Sequence, residues 1–336
     1  MKKVTLDNIA RELGVTKNTV SKALRGQPGV SEELRGKIVR LSDEYGYQKK
    51  DQPPKEQPFL RITLVSNDSF IRDSYFTAAL LSGIFDYASM HQVSIRNVIV
   101  DMVRDDMKNL MPLQEKYCDG ILVIGVIPDD AFVQLADLGI PLAAVDHYSS
   151  RVICDYVTTA NRQGILQALE FLAARNHRRI GFINNVNRAY SFDERCAGYR
   201  DGMEKLGLPV DPRFVWPSSN YDDRDYLRGQ LDKLPAAGEA PTAWICVNDY
   251  TAANFCSVLA ERGLRVPEDV SVVGFDNIAS LRQPITTLEI RQQAMGGRAL
   301  QRLLQRIRQP DEPYENIVVF PRLVDKGSVL ALPRRN

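Results

Sequence analysis

From Arg61 onward the sequence alternates short, wholly apolar runs with longer amphipathic segments. No other feature restricts the possible folds as much. Residues 62–65, 94–100, 120–126 and Leu142–Val145 read as buried strands, being too short for helices and rich in β-branched side chains. Residues 76–91 read as a helix with Ala79, Leu80, Gly83, Ile84 and Tyr87 on one side. The pattern restarts at 156–158 and continues through helix 162–174, strand 180–183, helix 195–206, strand 243–247, helix 250–262 and strand 270–275. Repeated βα units imply parallel sheets covered by helices on both faces. Two such sets of about 100–130 residues each imply two lobes with a cleft between them. Ligands in folds of this kind bind beyond the carboxyl ends of the strands. The expected class is α/β, with two doubly wound parallel-sheet lobes behind a head that is all helical.

That head occupies the first 50 residues, which hold eleven Lys and Arg against six Asp and Glu, while the rest of the chain is mildly acidic. A basic module on an acidic body fits a polyanion partner. Thr5 caps a first helix whose Leu6, Ile9, Ala10 and Leu13 recur at helical spacing, and Gly14 breaks it. Thr16 caps a second helix from Lys17 to about Leu24, with Val20, Ala23 and Leu24 facing inward. After a Gln27-Pro28-Gly29 loop, Ser31 caps a third helix whose first turn carries Glu32 and Glu33, where the helix dipole favours anions. Helix, Gly-containing turn, helix is the helix-turn-helix pattern, in which the second helix enters the DNA major groove. Its outward side chains would be Lys17, Asn18, Ser21 and Lys22, types that donate to guanine, pair with adenine or reach phosphates. Thr19, Arg25 and Ser31 sit where backbone phosphates are expected, and Thr5 and Thr16 complete the candidate DNA-facing set. A plain helical bundle with a solvated basic face would explain the charge. It would not explain the order of turn, cap and polar helix.

Other classes find less support. The five Cys show no CxxC pair, and the three His lie in no metal spacing, so neither a zinc site nor a disulfide framework is expected. The stretch after the first strand, VSNDSFIRD, lacks the glycines of a dinucleotide site. No phosphate-loop lysine motif or G-x-S-x-G occurs, so neither enzyme activity nor a cofactor is expected. The opening MKKVTLDNIAREL has no apolar signal region and no run reaches 18 apolar residues, which points to a cytoplasmic protein.

The segment from Thr5 to Gln48 resembles the DNA-binding head of the lactose-repressor (LacI/GalR) family of bacterial transcription regulators. The matching pieces are T-x-x-x-I-A, G-V-T-x-x-T-V-S, the Val30-Ser31 pair and the final Y-G-Y. In the body, 161–183, D-E-R-C-A-G-Y-R-D-G-M (193–203), C-V-N-D-Y-T-A (246–252), V-P-E-D-V-S-V-V-G-F-D-N (266–277) and P-I-T-T-L (284–288) are similar to further family blocks. The resemblance implies a head at 1–48, a linker at 49–59 and a periplasmic-binding-protein-like effector and dimerisation body at 60–336. It also implies that Lys17, Asn18 and Lys22 read the operator, although the family usually has Arg at Lys22 and often Asn at Arg25. The linker, QKKDQPPKEQP, lacks the family's P-N-x-x-A-R-x-L hinge helix, so weaker DNA kinking and looser coupling are expected.

Candidate effector contacts follow from chemistry and from these blocks together. Arg195, read as opening a helix, offers a planar fork to hydroxyls or a carboxylate; the alternative is an Arg capping a neighbouring carbonyl. Asn248 and Asp249 follow a strand; Asp249 is the one read as capping the next helix, and Asn248 the one whose amide faces the cleft. Asp276 ends an apolar strand, where it can accept from a sugar diol, and Asp146 stands in a similar place or serves as a turn residue. Phe70 and Phe76 either stack on a ligand ring or simply pack. Tyr148 and Tyr221 are weaker candidates. The implied function is a ligand-controlled repressor, binding a near-palindromic operator as a homodimer and taking a sugar or sugar derivative, with a nucleoside as the competing ligand. A small-molecule-binding protein or an enzyme of doubly wound fold would leave the basic head unexplained. The tail VLALPRRN has no heptads, so a dimer is expected rather than a tetramer.

Overall fold

A computed structural model describes residues 5–24, 27–45, 59–67, 74–100, 118–185, 189–218, 223–235, 238–279 and 283–333. Contacts divide the chain after Pro58 into two units. In the first, α1 (Leu6–Glu12), α2 (Lys17–Leu24) and α3 (Glu32–Glu44) surround Ile9, Ala10, Val20, Ala23 and Ile38. None of these helices is long enough to hold alone, so the shared apolar contact stabilises all three. Gly14 takes φ +65°, which lets the Val15 N–H reach the Ala10 carbonyl at 3.0 Å and turns the chain into α2. Arg35 donates to the Ala23 and Gln27 carbonyls, both at 2.9 Å, and so ties α3 to the end of α2.

The second unit contains two six-stranded sheets. The first has the order β11-β5-β4-β3-β1-β2, made from β1 (Leu60–Asn67), β2 (Val93–Val100), β3 (Gly120–Ile124), β4 (Leu142–Val145), β5 (Asp155–Thr159) and β11 (Asn316–Val319). The second has the order β12-β10-β9-β8-β6-β7, made from β6 (Ile180–Asn185), β7 (Val215–Ser218), β8 (Ala243–Cys246), β9 (Ser271–Phe275), β10 (Thr286–Glu289) and β12 (Arg322–Val324). All pairings are parallel except β10 with β12. Strand alternation gives each sheet two apolar faces. In the first sheet Leu122 and Ile124 face α4 (Ser74–Met90) and α10 (Gln292–Arg308), while Ile121 and Val123 face α5 (Asp129–Asp137). In the second, Ile180 and Phe182 face α6 (Asn161–Ala174) and α7 (Tyr190–Lys205). Ile183 and Trp244 face α8 (Arg224–Leu231) and α9 (Asp249–Glu261).

The lobes are not consecutive halves of the chain. The strand at 156–158, expected to open the second lobe, lies in the first sheet as β5. The chain crosses at 159–161, returns at 289–292 to lay α10 over the first sheet, and crosses again at 319–322 to add β12 to the second. α10 packs on α4 backbone to backbone: a Cβ at Gly83 would stand 1.8 Å from the Gln293 carbonyl oxygen, and one at Gly296 2.1 Å from that of Leu80. Its far end is tied down by Asp155, which is fully buried. That carboxylate accepts from Arg302 Nε and Arg306 Nε, each at 2.8 Å, and from the Glu315 N–H at 2.9 Å.

Candidate functional site

In the head, Lys17, Asn18 and Lys22 are exposed on one side of α2, Thr19 and Ser21 are half-buried, and Val20 and Ala23 turn inward. Thr16 Oγ1 accepts from the Thr19 N–H at 3.1 Å and caps the helix. Lys17 Nζ pairs with Asp7 at 2.9 Å, an exposed contact that holds the amine at the surface. Thr5 donates through its N–H and its hydroxyl to Asn8 Oδ1, at 2.8 and 2.6 Å. Ser31 Oγ lies 3.4 Å from the Leu34 N–H at the start of α3. Arg25 and the linker from 49 to 58 lie outside the described residues.

In the second unit the polar residues gather at the carboxyl ends of the strands. Arg195 does not open a helix. It sits in the second turn of α7, which begins five residues earlier at Tyr190, and it is 2% exposed. Its fork spans the lobe: Nε donates to Asn161 Oδ1 at 2.9 Å, Nη1 to the Val247 carbonyl at 2.7 Å, and Nη2 to Asp276 Oδ1 at 3.1 Å. The guanidinium also lies 3.7 Å from the Phe275 ring centroid. Arg195 is therefore a strut that aims Asp276, with each of its three nitrogens engaged by the protein. Asp276 takes φ +104°, and its carbonyl accepts at 2.8 Å from Gln292 Nε2, the first residue of α10 in the other lobe.

The cap expected of Asp249 after β8 falls to Asn248 instead. Asn248 Oδ1 accepts from the Thr251 N–H at 2.9 Å, so Asn248 is the cap of α9. Asp249 is buried, accepts from Thr287 Oγ1 at 2.7 Å and from the Ile278 N–H at 2.8 Å, and so fixes the loop after Asp276. Burial pushes its carboxyl up to about 6, with those two hydrogen bonds opposing the rise.

On the facing lobe, Asp146 follows β4 at φ +51°, half-buried, with its N–H on the Val157 carbonyl at 3.0 Å. Phe76, in the first turn of α4, is buried in the core. Phe70 and Tyr221 lie outside the described residues. Tyr148 reaches across: its ring lies 4.8 Å from Tyr190 of the second lobe and 5.1 Å from Tyr156 of its own. His147 is buried, edge-on to Phe132 at 4.5 Å, with Nε2 unpartnered. Burial pushes its pKa down to about 4, so the imidazole is neutral at neutral pH.

The sequence reading missed Asn161, Gln292, Tyr190, His147 and the Asn184–Asn185 pair. Only the last left a signal, two polar amides closing the apolar run I-G-F-I. Among the described residues no group of His, Cys, Asp and Glu is arranged to hold a metal ion, and no helix is long and apolar enough to cross a membrane.

Residues 5–50 match the family described as bacterial regulatory proteins, lacI family, and residues 169–329 match the periplasmic binding protein-like domain. The chain is 27% identical over 339 residues to the ribose operon repressor of Haemophilus influenzae, covering 98% of this chain and 99% of that one. Among solved structures it is similar to the transcriptional regulator CelR in complex with cellobiose, with a TM-score of 0.72 and 25% identity over 97% of this chain and 99% of the other. The lac repressor dimer bound to operator and an anti-inducer shares the fold, with a TM-score of 0.69 and 21% identity over 98% of this chain and 100% of that one. A helix-turn-helix head with a polar second helix, two lobes joined by three crossings and these full-length likenesses lead to one conclusion: the chain carries a lacI-family DNA-binding head on a periplasmic-binding-protein-like body, the architecture of the LacI-type transcription regulators it resembles along its length.

Proposed function

We propose that the protein is a homodimeric repressor acting on DNA in the cytoplasm, released from or held on its operator by a neutral sugar or sugar derivative bound between the lobes. The observation that carries this reading is the position of Asp276. Its side chain is held by Arg195 at the mouth of the second lobe, and its carbonyl is bonded to Gln292 at the lobe crossing. A ligand that engages Asp276 thereby acts on the joint that sets the angle between the lobes. Asp146 and Asn248 lie at strand ends of the facing lobes and complete the set, with Tyr148 and Tyr190 providing ring surface. The cellobiose complex of one relative and the ribose operon of another support a sugar as the ligand.

At the operator, Lys17, Asn18 and Lys22 read base edges, and Thr5, Thr16, Thr19, Ser21, Arg25 and Ser31 set the register on phosphates. One head touches few bases, so two heads in a symmetric dimer give the affinity a regulator needs. Selection of duplexes from a random pool by the full-length protein at near-physiological salt tests the reading. An enriched inverted repeat is expected. Binding that only weakens with salt and enriches no motif would overturn it.

A further inference from the structure

The carboxyl edge of the second sheet is polar across four neighbouring strands. Ser218 closes β7, Asn184 and Asn185 close β6, Asn248 follows β8 and Asp276 follows β9, all of them buried. Asp276 accepts from Arg195, and Asn248 caps α9. The Asn185 amide stands apart: it is 1% exposed, and neither its nitrogen nor its oxygen has a hydrogen-bond partner.

Register places Asn185 beside Ser218 on β7, and Ile183 beside Cys246 on β8. Two residues further along, Asn248 comes level with Asn185 on the same face of the sheet. That is the face covered by α9, whose first turn carries Thr251, and the Thr251 hydroxyl is likewise buried and unpartnered. A buried amide without a hydrogen bond is costly to keep, and an apolar residue of similar size would relieve that cost.

We propose that Asn185, together with Thr251, is a specificity-determining contact of the interlobe cleft and takes a hydroxyl of a neutral, polyhydroxylated ligand. The inference rests on reading the cleft as the effector site. An amide presents a donor and an acceptor side by side, and a hydroxyl presents the same pair in return. A carboxylate or phosphate would set lone pairs against Asn185 Oδ1, and the guanidinium of Arg195, the buried cation of this lobe's carboxyl edge, is already engaged by Asp276. The alternative occupant is an internal water held by the same two groups.

The test is ligand-induced thermal shift of the full-length protein with D-ribose, D-glucose, cellobiose and adenosine, set beside the anions gluconate and glucose 6-phosphate. One neutral probe is expected to raise the wild-type melting temperature. For that probe the half-saturating concentration should rise at least tenfold in Asn185→Leu and several-fold in Thr251→Val, which removes a single hydroxyl and guards against a misfolded Leu variant. The unliganded Asn185→Leu protein should melt no lower than wild type, because the orphaned amide is gone. Unchanged half-saturation in both variants would show that the amide serves a structural water, and would overturn the inference while leaving a sugar-binding cleft in place. A response only to the anions, or to no probe, would overturn the neutral-ligand class itself, whatever the operator selection shows.

Discussion

Replacing Arg195 by Met removes the cation that faces Asp276 while keeping an aliphatic stem against Phe275. The guanidinium donates to Asn161, Val247 and Asp276 at 2.7–3.1 Å, and it and Asp276 are 2% and 6% exposed. Summing three charge-assisted hydrogen bonds would overstate the loss, because the cost of burying the guanidinium disappears with it. Deleting one partner of a buried ion pair costs about 3–5 kcal/mol, most of it from the charge left behind. The chain's two tryptophans, Trp216 and Trp244, are both buried in the second lobe with ring centroids 4.0 Å apart, so their fluorescence follows the lobe that Arg195 braces. With a urea slope of about 3 kcal/mol per molar, the midpoint should fall by about 1–2 M. Adding Asp276→Asn to Arg195→Met should recover at least about 1 kcal/mol, since the uncompensated charge is then gone. A loss below about 1 kcal/mol, or a double variant no more stable than the single one, would refute the strut.

Three further outcomes follow from other parts of the molecule. Lys17→Ala and Lys22→Ala should each weaken binding to the selected inverted repeat by about 1–3 kcal/mol in anisotropy titrations; equal affinity for all three proteins would remove these residues from the base-reading set. Gly83→Ala drives a methyl into the Gln293 carbonyl and should cost about 1–3 kcal/mol in thermal unfolding, whereas Gly229→Ala, where a Cβ meets nothing within 4 Å, should be tolerated. His147 has a folded-state pKa of about 4 against an ordinary value of 6.5, so the unfolded chain takes up its proton first and stability is lost as pH falls from 6.5 to 4. That loss amounts to about 3 kcal/mol. In that window the stability of wild type relative to His147→Gln should fall by that amount as the pH drops, because Asp249, which acts in the opposite sense, is common to both proteins and cancels in the difference.

Much of this was legible because it is written in periodicity. The βα alternation and the order of caps and turns in the head depend on neighbours within a few residues, and a sequence displays those directly. The interleaving of the lobes does not. Whether β5 pairs with β4 or opens a new sheet is decided by pairing across the fold, and α10 returns to the first lobe because Gly83 and Gly296 let two backbones meet. α7 starts five residues before the expected Arg195, and Asp193, an acidic residue in its first turn, suits that helix N-terminus. The roles of Asn248 and Asp249 likewise turned on which side chain the Ile278 N–H would meet. An orphaned amide such as Asn185 is a property of three-dimensional neighbours alone.

The most direct test of a ligand-governed regulator is the affinity of the full-length protein for its selected inverted repeat, with and without saturating neutral sugar. An interlobe ligand that shifts the head spacing should change operator affinity by about 5–150-fold, in either direction. Operator affinity that stays the same with a sugar shown to occupy the cleft would contradict the account.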